Sequence, residues 1–216
     1  MLGLCESVAD IGCDHAYLAI YLIEQAIAKR VYACDINEGP LKTAQRNINQ
    51  SGYSDQIETI LTNGLIGVEK KEPEQIVICG MGGELIAGIL NETEYPKKKS
   101  PSLILQPMTK ADALRRYLIK NSYKIIDEAT VFDGRIYQII KAKYNENTIT
   151  DYNEAELLIG RQKEPDEYYI PLAKQKLSSL ILARDNILKS GEKCPEKDRQ
   201  IKELEEIINE SDRALL

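Results

Sequence analysis

The sequence has no apolar run near the roughly 18 residues needed to span a bilayer. Its opening residues, Met1-Leu2-Gly3-Leu4-Cys5-Glu6, have neither a basic lead nor a long apolar core. A membrane helix and a secretory leader are therefore not expected, and the chain reads as cytoplasmic. The five cysteines, Cys5, Cys13, Cys34, Cys79 and Cys194, include no close pair, which argues against a disulfide framework and a zinc site. Cys13, Cys34 and Cys79 end apolar runs, where a thiol behaves as a small core residue; a reactive Cys79 is the alternative. Basic excess is lacking too. The 28 Lys and Arg stand against 34 Asp and Glu, for a net charge of −6, so any nucleic-acid partner must be held by a local patch. The chain has one histidine, no clustered metal ligands, no internal repeat and no low-complexity tract.

What is present is an alternation. A chain of 216 residues suits one α/β domain of about 150 residues with a small addition. β-type runs at 7–11, 31–35, 57–61, 75–79 and 103–106 alternate with amphipathic stretches at 17–28, 39–51, 84–91 and 110–121, as in a parallel sheet with crossover helices. Two further runs, 124–131 and 136–143, are joined only by Phe132-Asp133-Gly134-Arg135, too short for a crossover, so they form an antiparallel hairpin. After residue 144 the β-type runs stop at the polar Asn145-Glu146-Asn147-Thr148. Tyr169, Ala173, Leu177, Leu180 and Ile187, then Ile201, Leu204, Ile207 and Ile208, recur at helical spacing on either side of a Gly191/Pro195 break, which predicts a coiled-coil-like helical hairpin. The expected division is residues 1–147 as the catalytic domain and 148–216 as the helical one.

The first strand runs into its helix through Asp10-Ile11-Gly12-Cys13-Asp14-His15-Ala16-Tyr17. In an open α/β sheet this turn is where ligands bind. Gly12 admits a close ligand approach. Asp10 and Asp14 suit a cationic amino group better than a pyrophosphate, and the second and third glycines of a dinucleotide site are missing. Asp35, ending the second strand, is placed to accept from ribose hydroxyls, with helix capping as its structural alternative. Ile36, Asn63, Gly64 and Leu65 are candidates to enclose a base, and Gly80, Met81 and Gly82 give an open strand end at the pocket mouth.

Taken together, Asp10-Ile11-Gly12-Cys13-Asp14-His15-Ala16-Tyr17-Leu18, Asn37-Glu38-Gly39-Pro40, Asn63-Gly64-Leu65, Gly80-Met81-Gly82-Gly83 and Leu105-Gln106-Pro107 resemble the bacterial tRNA (adenine-22-N1)-methyltransferase family, TrmK-like. The resemblance runs in order over nearly the whole chain. It implies a Rossmann-like class I methyltransferase sheet, parallel with an antiparallel last strand, plus a C-terminal helical hairpin. It also implies S-adenosylmethionine as donor, S-adenosylhomocysteine as product, no metal, and tRNA as partner. Members carry a helical segment before the first strand. Only six residues precede Ser7 here, so a shortened chain or an internal start is expected. Met108 stands where a polar Asn is common in relatives.

For methyl transfer to adenine N1 the candidate catalytic residues are Asp14, His15 and Gln106. His15 is expected to orient rather than to transfer protons, and Tyr17 is either a stacking or a core residue. Lys174, Lys176, Arg184 and Lys189 on the first C-terminal helix, with Arg115 and Arg116, are the expected phosphate contacts. The alternatives are another RNA site or a small-molecule acceptor, and, last, a non-enzymatic RNA-binding scaffold.

Overall fold

A computed structural model describes residues 1–148 and 151–214, and side chains as far as residue 213. Residues 149, 150, 215 and 216 of the expected helical unit lie outside the described set. In chain order the elements are β1 (Cys5–Ile11), α1 (Tyr17–Glu24), β2 (Ala28–Asp35), α2 (Glu38–Ser51), β3 (Ile57–Leu61), β4 (Gln75–Gly82), α3 (Gly83–Asn91), α4 (Tyr95–Lys98), β5 (Ser102–Thr109), α5 (Ala111–Lys120), β6 (Tyr123–Asp133), β7 (Arg135–Tyr144), α6 (Glu154–Ile159), α7 (Tyr169–Lys189) and α8 (Pro195–Ala214). A 3₁₀ turn at Val68–Lys71 precedes β4.

The seven strands form one sheet in the order β3-β2-β1-β4-β5-β7-β6. The first five are parallel. β7 runs antiparallel to both β5 and β6, so the hairpin inserts its second strand into the sheet and leaves β6 at the edge. β6 therefore points the same way as β5, and the hairpin turn lies at the edge where the parallel strands end.

Alternation along each strand divides the core. Ala9, Ile11, Ile76, Ile78, Leu103 and Leu105 face α3 and α5, while Val8, Val31, Ala33, Val77 and Ile104 face α1 and α2. This two-sided burial is why the parallel strands read as nearly continuous apolar runs. On that alternation Asp10 belongs to the α1/α2 face.

Three elements depart from the expected pattern. α1 stops at Glu24 rather than near 28, because the chain reverses at Ala26, in left-handed conformation, and Ala28 already pairs with Cys5 in the sheet. Ile27 and Ala28 are apolar at helical spacing, but the burial they satisfy belongs to a strand. α6 was not anticipated; Asn153 and Glu156 form a reciprocal capping box at its start, which satisfies two otherwise orphaned backbone donors. β4 continues past Cys79 through an irregular register to Gly82, so the glycine-rich segment is a distorted strand end.

The C-terminal helices are seated on the sheet edge. Ala155, Ile159, Tyr169, Leu172, Leu204 and Ile208 form a separate apolar cluster against which Ile136 of β7 packs. Beneath it, Arg115 is 1% exposed. Its Nε donates to Glu128 Oε1 at 2.7 Å, Nη1 to the Leu157 carbonyl at 2.9 Å and Nη2 to Gln138 Oε1 at 2.8 Å. Glu128 Oε2 accepts from Tyr152 and from the Arg161 amide. At the hairpin tip Phe132 stacks on Tyr168, with ring centroids 5.7 Å apart.

Candidate active site

The ends of β1, β2 and β4 and the start of α3 enclose a cavity of about 250 Å³. Gly12, Asp35, Ile36, Asn63, Gly64 and Met81, all singled out from sequence, line it. Ile11, Cys34, Leu85 and Ile89 complete its apolar wall and Asn37 and Thr62 add polar edges; none of these six was among the candidate binding residues. The spacing of Leu85 and Ile89 on one face of α3 was the available signal.

Gly12 has φ +78°, and a Cβ there would lie 2.3 Å from Met81 Cε. Its amide donates to the Cys34 carbonyl at 2.8 Å, as does the Cys13 amide at 2.9 Å, so the turn after β1 is fastened to β2. The backbone is also left-handed at Asp14 and Ala16. The turn thus adopts at residues 12, 14 and 16 the conformation that glycines favour, with glycine only at the first. Non-glycine residues held this way store strain, which is common at ligand clamps.

Asp10 lies beneath the turn, 4% exposed. Its Oδ2 is buried with no hydrogen-bond partner among the described residues, and burial raises its carboxyl to about 7. An orphaned buried carboxylate demands a partner, and a ligand ammonium group answers both its charge and its missing donor. Asp35 Oδ1 accepts from the Asn37 amide at 2.9 Å. It therefore does contribute to the turn into α2, while its other oxygen has no partner among the described residues and is available to a diol. The cofactor expected from sequence fits these donors and acceptors.

The remaining candidates do not line this cavity; they lie on the β1–α1 turn and at the ends of β4 and β5. Asp14 and His15 are exposed or half-buried on the β1–α1 turn, with His15 Nε2 3.6 Å from Asp14 Oδ1. The His15 carbonyl accepts from Asn47 at 2.9 Å, and its Nδ1 is buried without a partner. Tyr17 is 70% exposed and packs edge-on to His15, so the core alternative for Tyr17 is ruled out. Gln106 bridges two strand ends: its Oε1 accepts from the Gly80 amide at 2.9 Å and its Nε2 lies 3.5 Å from Met108 Sδ. Met108 Sδ also receives Arg135 Nη2 at 3.1 Å, so the thioether does serve as a weak acceptor. At Gly80 an added Cβ would meet nothing within 4 Å; Gly82, by contrast, opens α3 against Thr109.

Two expectations are corrected. Leu65, expected against the base, is 1% exposed and belongs to the core. Arg115, expected along phosphates, is buried with its guanidinium committed to Glu128, Gln138 and Leu157. Other expected cations are paired on the surface: Arg116 with Glu154, Lys174 with Asp212 and Arg184 with Asp185. The thiols of Cys13 and Cys79 are pushed up to about 12 by burial, with the Asp10 charge adding to it. They are poor nucleophiles at neutral pH, which favours the core reading over a reactive Cys79.

A sheet of order 3-2-1-4-5-7-6 with its cavity at the strand ends, an acidic β1 and an acidic end to β2 defines the Rossmann-like methyltransferase class. Comparison with known proteins agrees. A family described as a methyltransferase domain matches residues 1–140. The tRNA (adenine(22)-N(1))-methyltransferase of Bacillus subtilis is 38% identical over 137 residues, 63% of this chain and 58% of that protein. The structure of M. capricolum TrmK with S-adenosyl-homocysteine is 32% identical, covers 97% of this chain and 93% of that one, and superposes with a TM-score of 0.78. The B. subtilis m1A22 tRNA methyltransferase TrmK is 30% identical, with 96% and 91% covered and a TM-score of 0.75. The chain belongs to the methyltransferase-domain family and, within it, to the TrmK-like family. Its sequence match spans 58% and 60% of the length of the first two curated relatives.

Proposed function

We propose that this chain transfers a methyl group from S-adenosylmethionine to N1 of adenine 22 in tRNA. The observation that carries the reading is the unpartnered, buried Asp10 carboxylate, two residues before Gly12, which lines the cavity with Asp35 and Asn63, in a chain similar over nearly its whole length to a TrmK in complex with S-adenosyl-homocysteine. When bound, the cofactor supplies a methyl on a sulfonium, open to in-line displacement. Asp10, helped by Asp14, holds the amino group; Asp35 accepts from the ribose hydroxyls; Ile36, Leu85 and Ile89 sandwich the base, with Asn63 and Gly64 at its edge.

Adenine N1 brings its own lone pair, so the protein's contribution is alignment, with acceptors near the amino group where positive charge develops. We assign that role to Gln106, held by the Gly80 amide, and to the Asp14–His15 pair on the turn after β1. Reaching N1 requires taking the base out of its stack, at a cost of a few kcal/mol, which contacts to the RNA backbone must offset. We read residues 1–147 as the cofactor-binding domain and 148–216 as a helical unit that contacts tRNA through Lys174, Lys176, Arg184 and Lys189, with Arg116 of α5 in the first domain adding to them. No described helix is long and apolar enough to cross a membrane, and a tRNA substrate places the enzyme in the cytoplasm. Methyl transfer to transcripts carrying A or G at position 22 tests the reading: it requires transfer to A22 only, and equal labelling of both contradicts it.

A further inference from the structure

A cationic groove lies at the active-site edge. Between the end of β5, the β6–β7 hairpin and the first turns of α7 lies a groove of about 80 Å³, lined by Met108, Lys110, Arg135, Tyr137, Gln175 and Lys176 among others. It is far smaller than the roughly 300–1,000 Å³ of small-molecule pockets, so it suits a single compact group rather than a base. Lys110 is engaged by Glu84 at 2.6 Å. Arg135 and Lys176 have no carboxylate partner among the described residues, in contrast to Arg116, Lys174 and Arg184 nearby. Arg135 is ordered by other means: its guanidinium lies 4.7 Å over the Tyr137 ring and touches Met108 Sδ. Lys176 is half-buried, and the burial holds its ammonium below the ordinary lysine value. An anion in the groove would favour its charged form.

The groove is joined to the reaction site by a short run of contacts. Gly80 donates to Gln106, Gln106 reaches Met108, and Met108 receives Arg135. A compact anion held by Arg135 and Lys176 is thus next to the mouth where the acceptor adenine must enter.

We propose that this groove binds a backbone phosphate of the RNA, beside the nucleotide that is turned out of its stack. The inference rests on the reading of the chain as an RNA methyltransferase. It adds a site in which a fixed guanidinium and a half-buried ammonium grip the backbone, so that the unstacked base is delivered to Gln106. Arg135 and Lys176 are positioning residues in this account.

The test is tRNA affinity as a function of salt for the wild type, Arg135→Gln, Lys176→Gln, Arg135→Lys and, on α4 at the opposite strand ends, Lys98→Gln, with S-adenosylhomocysteine affinity of each measured alongside. Loss of one phosphate contact lowers the slope of log affinity against log salt by about one unit. Arg135→Gln and Lys176→Gln are expected to lose that unit and about five- to tenfold in affinity, raising KM for tRNA. Arg135→Lys should restore the slope, and Lys98→Gln should match the wild type. Unchanged affinity and slope in both Gln variants, with cofactor affinity intact, overturns the proposal; if Lys176→Gln loses cofactor binding, Arg135→Gln at the exposed hairpin decides alone. Failure of the wild type to methylate tRNA that it nevertheless binds through the groove sinks the reading of function and leaves the phosphate site supported.

Discussion

Gln106 and Gly80 lie on neighbouring strands and are joined by a 2.9 Å hydrogen bond from the Gly80 amide to the Gln106 side-chain oxygen. The bond crosses the point where the register of β4 against β5 breaks. It therefore ties the distorted end of β4 to β5 across that break. Gln106→Ala should lower kcat about a hundred- to thousandfold, the range for removing one pre-organised hydrogen-bonding group, with cofactor affinity little changed. Single-turnover methyl transfer, with calorimetric S-adenosylhomocysteine binding as the control, measures both.

Asp10 ties ligand binding to pH. Its carboxyl is raised from 3.8 to about 7 by burial, so the folded protein holds a proton that the unfolded chain has released. Stability therefore falls as pH rises from the unfolded value through about 7, where the full cost of the buried charge is present. At about 1.4 kcal/mol per pH unit, that cost is on the order of 4 kcal/mol without ligand. Asp10→Asn should make the ligand-free protein more stable above pH 7 and should weaken S-adenosylhomocysteine at least about tenfold, the equivalent of one such unit. Wild-type affinity should rise with pH through about 7 and level off, while that of Asp10→Asn stays flat. Denaturation and titration on both sides of that pH provide the check.

The Arg115–Glu128 pair joins α5 to β6 and, through the Leu157 carbonyl, to α6. Breaking a buried pair by removing one partner costs about 3–5 kcal/mol. At about 2–4 °C per kcal/mol for a chain of this size, Arg115→Met should lower Tm by roughly 6–20 °C. Removing Glu128 as well should recover only part of this, because Tyr152 and the Arg161 amide lose their acceptor. Thermal unfolding of the single and double variants tests the claim.

The parallel sheet and its cavity were legible because buried parallel strands read as apolar runs and because the residues that end them, Gly12, Asp35 and Asn63, are of types that tolerate or demand a ligand. The hairpin was legible from the shortness of its turn, but the insertion of β7 between β5 and β6 was not, since nothing local specifies strand order. The end of α1 at Glu24 escaped notice because the left-handed alanine that follows, Ala26, leaves no mark in composition. Leu65 and Arg115 show the limit most clearly. A leucine after a glycine at a strand end reads as a pocket wall and an arginine on an amphipathic helix as a surface cation; both are buried instead by residues distant in sequence, Leu65 in the cluster that includes Ile89 and Arg115 against Glu128. The groove at Arg135 and Lys176 was equally hidden, since it forms only when hairpin and α7 meet.

The most direct test is nucleoside analysis of two tRNA transcripts, identical except for A or G at position 22, after incubation with the purified chain and S-adenosylmethionine. The account predicts 1-methyladenosine from the A22 transcript and none from the G22 transcript. Equal 1-methyladenosine from both, or none from either with cofactor bound, would contradict it.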